Sequence, residues 1–195
     1  MKFDIVATNH LIQNRRSIYP TMYSGEIIDE DIIHQMLENA NWAPNHKLTE
    51  PWRFMVFTGE GIKKLAQFQS ELYKEQTTAD GSFDEKKYEK LKTKPLLSSH
   101  IISIAMKRNP VVPEVEEIGA VFSAAQNMQL TASAYGVGCY LSTGGITYYE
   151  AAKPFFDLGP EDKLLGFLHC GTPKTKWPQS KRKPIEDKVT WVDKA

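Results

Sequence analysis

The hydrophobic residues of the chain alternate between two kinds of spacing, one typical of helices and one typical of strands. Helical spacing predicts helices over residues 4–14, 29–41, 62–73 and 114–135, and a shorter one over 148–156. Short apolar runs predict strands over residues 53–58, 96–106, 139–142 and 164–170. Strands separated by helices of unequal length favour one α+β domain over residues 1–195, with a doubly wound sheet as the alternative.

Two segments depart from the usual amphipathic pattern. Residues 114–135 carry small or apolar side chains on all sides after Glu117, and such a helix is usually buried in a core or at a subunit interface. Residues 75–95 are polar and rich in lysine, which predicts either a surface helix or a mobile lid. The tail after Gly171 is rich in proline and lysine and shows no periodicity before residues 189–192.

The composition is that of an ordinary soluble globular protein. Of the 195 residues, 41% are hydrophobic and 25% are charged, and 24 basic side chains balance 24 acidic ones. This balance argues against a role based on bulk charge. The N-terminal residues lack the pattern of a signal peptide, and no apolar run reaches the roughly 20 residues that span a bilayer. We therefore expect a cytoplasmic protein whose two cysteines are reduced core residues.

Arg15, Arg16 and Ser17 directly follow the first predicted helix. Two guanidinium groups and a hydroxyl group form a clamp suited to phosphate or to a ribityl chain, because arginine donates to oxygen pairs in a bidentate geometry. The alternative is that the two cations only complement the dipole at a helix C-terminus.

The loop over residues 42–54 is a second candidate for ligand binding. Pro44 and Pro51 stiffen it, since each proline fixes its own φ and restricts the preceding residue. Asn45, His46 and Lys47 offer polar groups for the edges of a flat ring, although His46 and Lys47 are equally compatible with solvated side chains. The five histidines show no paired ligand spacing, so we expect no metal site.

Gly136 and Gly138 resemble half of a dinucleotide-binding fingerprint, but the order of elements is wrong. That fingerprint requires a strand, a glycine turn and then a helix, whereas these glycines lie between a helix and a strand. The basic tail with Trp177 leaves nucleic-acid binding through charge and stacking as a possible function.

In this order, the segments resemble the small, single-domain branch of the flavin-dependent nitroreductase family over nearly the whole chain. The matching features are Asn-Arg-Arg-Ser at 14–17, Ala-Pro at 43–44 followed by Pro-Trp at 51–52, Gly-Val-Gly at 136–138, Gly-Phe-Leu at 166–168 and Gly-Thr-Pro at 171–173. Many members carry Ser, Asn and Gln where this chain has Asn45, Leu48 and Glu50, which shifts attention to Asn45, His46 and Lys47.

The resemblance implies a nitroreductase-like α/β/α sandwich with a central, mostly antiparallel sheet. It implies a homodimer that exchanges its C-terminal segments and binds FMN at the subunit interface. Arg15, Ser17 and Arg182 are then expected at the phosphate, and Lys47 near N1 and O2, where a cation favours the reduced flavin. The cofactor-binding residues implied are Arg15, Arg16, Ser17, Asn41, Asn45, His46, Lys47, Tyr140, Leu141, Ser142, Thr143, Gly144 and Arg182.

The activity implied is a two-step reaction in which NAD(P)H reduces the flavin, leaves, and is replaced by an electron-poor acceptor such as a nitroaromatic or a quinone. No catalytic side chain is required, because the cofactor carries the chemistry. The expected partners are this small molecule and a second copy of the chain, with neither nucleic acid nor membrane. The alternatives are a flavin-binding or flavin-processing protein without broad reductase activity, and a nucleic-acid-binding module that uses the basic tail.

Overall fold

The computed structural model describes residues 2–193 of the protein. Over these residues the elements in chain order are α1 (Ile5–Asn14), α2 (Glu30–Ala40), β1 (Trp52–Thr58), α3 (Glu60–Asp80), α4 (Glu85–Thr93), β2 (His100–Met106), α5 (Glu114–Ala134), β3 (Gly138–Ser142) and β4 (Lys163–Gly171). Short 3-10 helices occupy several of the connections, including Lys94–Leu97, Gly145–Tyr148 and Glu150–Phe156.

The four strands form one antiparallel sheet in the order β1-β2-β4-β3. The strands β1 and β3 are therefore its two edges. Antiparallel pairing throughout this sheet rules out the doubly wound alternative and confirms the α+β class. A bulge between Ile104 and Ala105 shifts the register of β2 against β4.

Helices cover both faces of the sheet. On one face, α2 and α5 bury a core that includes Met36, Ile104, Met128 and Leu168. On the other face, α3 and the 3-10 helix Glu150–Phe156 bury a second core. Each large apolar side chain that is fully buried contributes about 1.5–3 kcal/mol to stability. The predicted α/β/α sandwich is thus confirmed.

The predicted element boundaries were wrong in three places. Helix α3 continues to Asp80, because polar residues such as Gln69 and Thr77 lie on its buried side and break the apolar pattern. Strand β2 begins at His100, since the 3-10 helix Lys94–Leu97 occupies the preceding residues. The predicted helix over 148–156 consists of 3-10 turns and contains Pro154, which lacks the N–H that an α-helix needs.

The lysine-rich stretch over residues 75–95 belongs to a pair of packed surface helices. Helix α3 ends at Gly81, which has the left-handed conformation of a helix C-cap (φ 75°). The carboxylate of Asp84 then caps α4 by accepting from the N–H groups of Lys86 and Lys87. Most of residues 75–95 therefore lie in surface helices, which is one of the two alternatives that the sequence predicted.

The segment after α1 crosses the ends of β3 and β4 in very close contact. The N–H of Ile18 donates to the carbonyl of Cys139 over 2.9 Å, and Ser17 forms a parallel bridge with the same residue. A Cβ added at Gly138 would lie 2.8 Å from Ile18 Cβ, and one added at Gly171 would lie 2.2 Å from the ring of Tyr23. Glycine is required at both positions, and this contact fixes Arg15, which lies just before it, next to β3.

Candidate cofactor-binding site

Three arginine side chains gather at the end of α1. Arg15 is the residue at which α1 ends, and its Nη1 atom lies 3.3 Å from Oε1 of Gln129 on α5. Its pKa is lowered first by burial and then by the positive charges of Arg16 and Arg182. Arg182, 167 positions further along the chain, is therefore close enough to repel Arg15.

These guanidinium groups have no anionic partner among the described residues. The ion pairs found within residues 2–193 involve other side chains. Arg16 donates to the main-chain oxygens of Gln13 and Arg15, and its Nε is buried without a hydrogen-bond partner. Clustered cations with unused donors repel one another, so they favour binding of an anion such as phosphate.

A cleft of about 240 Å³ is lined by Arg15 and Arg16. Its walls come from the end of α1, from Ser133 of α5 and from the tail, where Trp177 and Gln179 cross over. Ser17 is exposed, and it pairs with Cys139 near the beginning of β3. The structure therefore brings Arg182 close to Arg15, with Arg16 and Ser17 next to Arg15 in the chain.

Tyr140 lies on the α3 side of the sheet, one residue beyond the bridge to Ser17. Its ring centroid is 4.6 Å from that of Tyr19, and Lys94 Nζ lies 5.0 Å from its centroid. Sequence reasoning missed Lys94, because it is one of many lysines in a polar stretch and no spacing distinguishes it. Leu141 instead packs into the core under α5.

Lys94 supplies the positive charge in this group, because the neighbouring histidine is neutral. His169 of β4 has its ring centroid 6.0 Å from that of Tyr140, and its Nδ1 is 3.1 Å from Ser98 Oγ. Burial, and then the charge of Lys94, lower the pKa of His169 to about 4. The imidazole is therefore uncharged at neutral pH.

At the other end of β3, the loop with Thr143 and Gly144 is exposed after the half-buried Ser142. A cleft of about 400 Å³ opens beside Thr143, between Phe122 of α5 and Tyr148. Its polar side chains are largely paired already, since Lys153 contacts Glu150 and Lys163 contacts Glu114. Leu164 and Leu165 contribute apolar walls to the same cleft.

The loop after α2 is held in a strained conformation by its own side chains. Asn45 Oδ1 accepts from the N–H of Glu50 over 3.0 Å, and Nδ2 donates to the carbonyl of Ala43. Lys47, Leu48 and Glu50 all have positive φ values, of 53°, 52° and 44°. Left-handed backbone at a non-glycine residue costs about 1–3 kcal/mol and is concentrated at functional sites. Leu48 in this loop is 81% exposed.

The same loop is anchored to the N-terminal end of α5. His46 Nδ1 forms a hydrogen bond with the carboxylate of Glu116, and Lys47 Nζ donates to the carbonyl of Val111 over 3.3 Å. At the base of the loop, the indole N–H of Trp52 donates to Asn41 Oδ1 over 3.0 Å. The sequence-predicted residues Asn41, Asn45, His46 and Lys47 therefore form one group.

This loop group and the arginine group lie far apart within one chain. They contact α5 at Glu116 and at Gln129, which are 13 residues apart in the numbering of the chain. A helix rises 1.5 Å per residue, so these contacts are about 20 Å apart. One chain alone does not bring the two predicted halves of the site together.

Two further properties of the described residues bear on function. Over residues 2–193, no group of three or more His, Cys, Asp or Glu side chains is arranged to hold a metal ion. Over the same residues, no helix is both long and apolar enough to cross a membrane.

A four-stranded antiparallel sheet between helical layers, with an arginine-lined cleft at the edge strand, defines a protein with the nitroreductase-like fold. The chain belongs to the Nitroreductase family, whose model matches residues 12–172. YdjA of Escherichia coli (strain K12), provisionally named an NAD(P)H nitroreductase, is 33% identical over 146 residues, covering 74% of this chain and 77% of YdjA. YfhC of Bacillus subtilis (strain 168), with the same kind of name, is 28% identical over 186 residues, covering 92% of this chain and 91% of YfhC.

Solved structures agree with this assignment. A nitroreductase-like family protein from Bacillus cereus superimposes with a TM-score of 0.80 and 28% identity, covering 100% of this chain and 99% of the other. The FMN-dependent nitroreductase NfnB from Mycobacterium smegmatis, solved with NADPH, gives a TM-score of 0.74 at 17% identity, covering 97% of this chain and 100% of NfnB. The second likeness establishes the fold alone.

Proposed function

We propose that this protein is an FMN-dependent NAD(P)H oxidoreductase that reduces electron-poor acceptors, such as nitroaromatics or quinones, by ping-pong hydride transfer. The observation that carries the proposal is the cluster of Arg15, Arg16 and Arg182, which have no anionic partner among residues 2–193. Membership of the Nitroreductase family and the names of the relatives YdjA and YfhC support it. Residues 1–195 would act as one cytoplasmic FMN-binding domain.

The residues of this chain fit the cofactor at both of its ends. The phosphate and the ribityl chain would be held by Arg15, Arg16, Ser17 and Arg182. The phosphate supplies the anion that these cations lack among the described residues. Tyr140 and the loop from Ser142 to Gly144 would line the ring. When bound, FMN supplies the two-electron chemistry between NAD(P)H and the acceptor.

We assign the positive charge beside the flavin ring to Lys94 in place of Lys47. Lys94 lies at Tyr140 in the same chain as the arginines, whereas Lys47 would reach the ring only from a second copy of the chain. A fixed cation favours the negative charge of the reduced cofactor, and the neutral His169 does not compete with it. Because FMN carries the redox chemistry, this role is electrostatic.

We further propose that the complete site forms between two copies of the chain. The distance of about 20 Å along α5 separates the loop group from the arginines in one chain, so the loop of a second copy would complete the site. The strained loop supports this, because it exposes Leu48 and Trp42, which are 81% and 83% accessible. Large apolar side chains exposed together are typical of interaction surfaces.

The C-terminal tail is proposed to cross onto the partner and extend its sheet at β1. This edge strand is bordered by a mostly apolar cleft of about 230 Å³, between Ile33 and Leu37 of α2 and Val56 of β1. The tail provides an apolar segment at residues 189–192, in which Trp191 is 87% exposed. Addition of a strand to a free sheet edge satisfies its unpaired backbone groups.

Deletion of residues 189–195 tests the exchange. We expect the full chain to sediment as a dimer at micromolar concentration. The dimer dissociation constant of the shortened chain should be at least tenfold higher. A matched control is Lys188→Ala, which keeps the apolar segment and should remain dimeric. A full-length protein that is monomeric while it holds stoichiometric FMN would contradict both the dimer and the exchange.

The absorption spectrum of the purified protein, with the released cofactor identified, tests the function. We expect FMN, and rapid anaerobic bleaching near 450 nm, the usual flavin band, by NADH or NADPH. Steady-state rates with a quinone should then give the parallel double-reciprocal lines of a ping-pong reaction. Tight FMN without bleaching would favour a flavin-binding or flavin-processing protein. A colourless chain with salt-dependent affinity for DNA or RNA would favour the nucleic-acid alternative.

A further inference from the structure

The two cysteines of the chain lie side by side on neighbouring strands. Cys139 of β3 is directly opposite Cys170 of β4, although 31 positions separate them in the sequence. Their sulfur atoms are 3.5 Å apart, and both side chains are buried and free. Sequence reasoning treated them as two unrelated core residues, and only the strand register brings them together.

Backbone hydrogen bonds define the type of this cross-strand pair. The carbonyl of Cys139 accepts from Ile18 on the outer side of β3, and that of Cys170 accepts from Ser99 on the β2 side, each over 2.9 Å. Neither carbonyl therefore points toward the opposite cysteine. The two cysteines form a non-hydrogen-bonded pair of the β3–β4 ladder. In such pairs the Cα atoms are about 4.5 Å apart and the side chains are closest. Disulfides need a Cα separation of about 4.4–6.8 Å, so the backbone already suits one.

We propose that Cys139 and Cys170 are an oxidation site that forms a reversible cross-strand disulfide with hydrogen peroxide. One thiol attacks the peroxide, the O–O bond breaks, and a sulfenic acid and a water molecule result. The second thiol attacks the sulfenic sulfur, the S–S bond forms, and a second water leaves. The two thiols together lose two electrons and two protons, and these reduce the peroxide to two molecules of water.

The position of the pair determines how fast it reacts. The hydrogen bond with Cys139, and then burial, raise the pKa of the Cys170 thiol, so little thiolate forms while the strands are paired. Strand β3 is only five residues long and, apart from the bond from Ile18 to Cys139, pairs with another strand on one side only, so fewer backbone hydrogen bonds break when it opens than for a central strand. Oxidation therefore follows local opening of β3. The disulfide then ties β3, which carries Tyr140, to the centre of the sheet.

The test is peroxide treatment of the wild-type protein, followed by denaturation, alkylation of free thiols and mass spectrometry. We expect a monomer mass lower by two hydrogen atoms, no alkylation, and one peptide pair linked through Cys139 and Cys170 that dithiothreitol separates. The cross-link closes a loop of about 30 residues, so the melting temperature should rise by roughly 5–15 °C.

Cys139→Ser and Cys170→Ser are the matched controls. Each keeps one buried thiol, so neither variant should lose two hydrogens or gain thermal stability under peroxide. Three wild-type results would overturn the proposal: both thiols still fully alkylated, oxygen atoms added without cross-linking, or a disulfide between chains. These readouts come from the wild-type protein, so they remain decisive even if a serine variant fails to fold, and none of them depends on bound flavin.

Discussion

Arg15→Ala is expected to weaken FMN binding by between about tenfold and a hundredfold. A hydrogen bond to a charged group contributes about 1.5–3 kcal/mol, and Arg15 is a half-buried cation of the arginine group. Removing Arg15 also removes its repulsion with Arg16 and Arg182. This gain limits the loss of FMN affinity. Fluorescence titration of the apoprotein with FMN measures the dissociation constant directly.

Two variants make this experiment specific. Lys64→Ala removes one exposed cation from α3 and should leave the dissociation constant unchanged. Arg15→Lys keeps the charge but loses the bidentate geometry, so its affinity should be intermediate. Thermal melting of each apoprotein separates lost binding from lost folding, since Arg15 also contacts Gln129. An Arg15→Ala protein that purifies yellow, stoichiometric and with unchanged affinity would refute the phosphate assignment.

Lys94→Gln is expected to slow flavin reduction by NAD(P)H by roughly 100-fold while FMN remains bound. A preorganised charge or donor at the place where negative charge develops accounts for about 10²–10³ in rate. Among the described residues, Lys94 is the cation that lies over the Tyr140 ring, with its Nζ 5.0 Å from the ring centroid. Since a cation stabilises the anionic reduced flavin, its removal should also lower the midpoint potential. Anaerobic stopped-flow mixing and a redox titration measure the two effects.

Lys92→Gln is the matched control for this variant. Lys92 lies in the same lysine-rich stretch, but its Nζ is 5.8 Å from the ring centroid of Tyr88 and not near Tyr140. Its loss removes the same charge from the surface and should leave rate and potential unchanged. If Lys94→Gln kept both the rate and the potential of the wild type, the positive charge at the flavin would have to come from another residue, with Lys47 of a second copy as the first candidate.

Local patterns in the sequence predicted those parts of the site that lie within one short segment. Arg15 and Arg16 became candidates for an anion site because two arginines directly follow a helix, and the family resemblance assigned them to FMN. The loop was predicted from its prolines and polar residues, and its bonds from Asn45 to the backbone agree with a stiff structure. The sequence did not indicate that the loop binds to the far end of α5, because no periodicity encodes which helix a loop will contact.

The residues that sequence reasoning missed depend on contacts between distant segments. Lys94 is one of several lysines over residues 75–95, and only the 3-10 turn after α4 directs it at Tyr140. The extension of α3 was missed because polar residues such as Thr77 are buried there and bond to the helix backbone. Periodicity reports which face of an element is apolar, and it fails where polar side chains are buried with local partners.

By itself, the sequence determined the order and type of most elements, the family, and the arginines suited to an anion. These follow from the spacing of apolar residues and from short motifs, in which neighbours along the chain act together. Only the tertiary structure decided the separation of the two halves of the site, the position of Lys94, and the pairing of Cys139 with Cys170. The physical reason is that strand register and the packing of layers juxtapose side chains far apart in the chain, and no local pattern records such pairs.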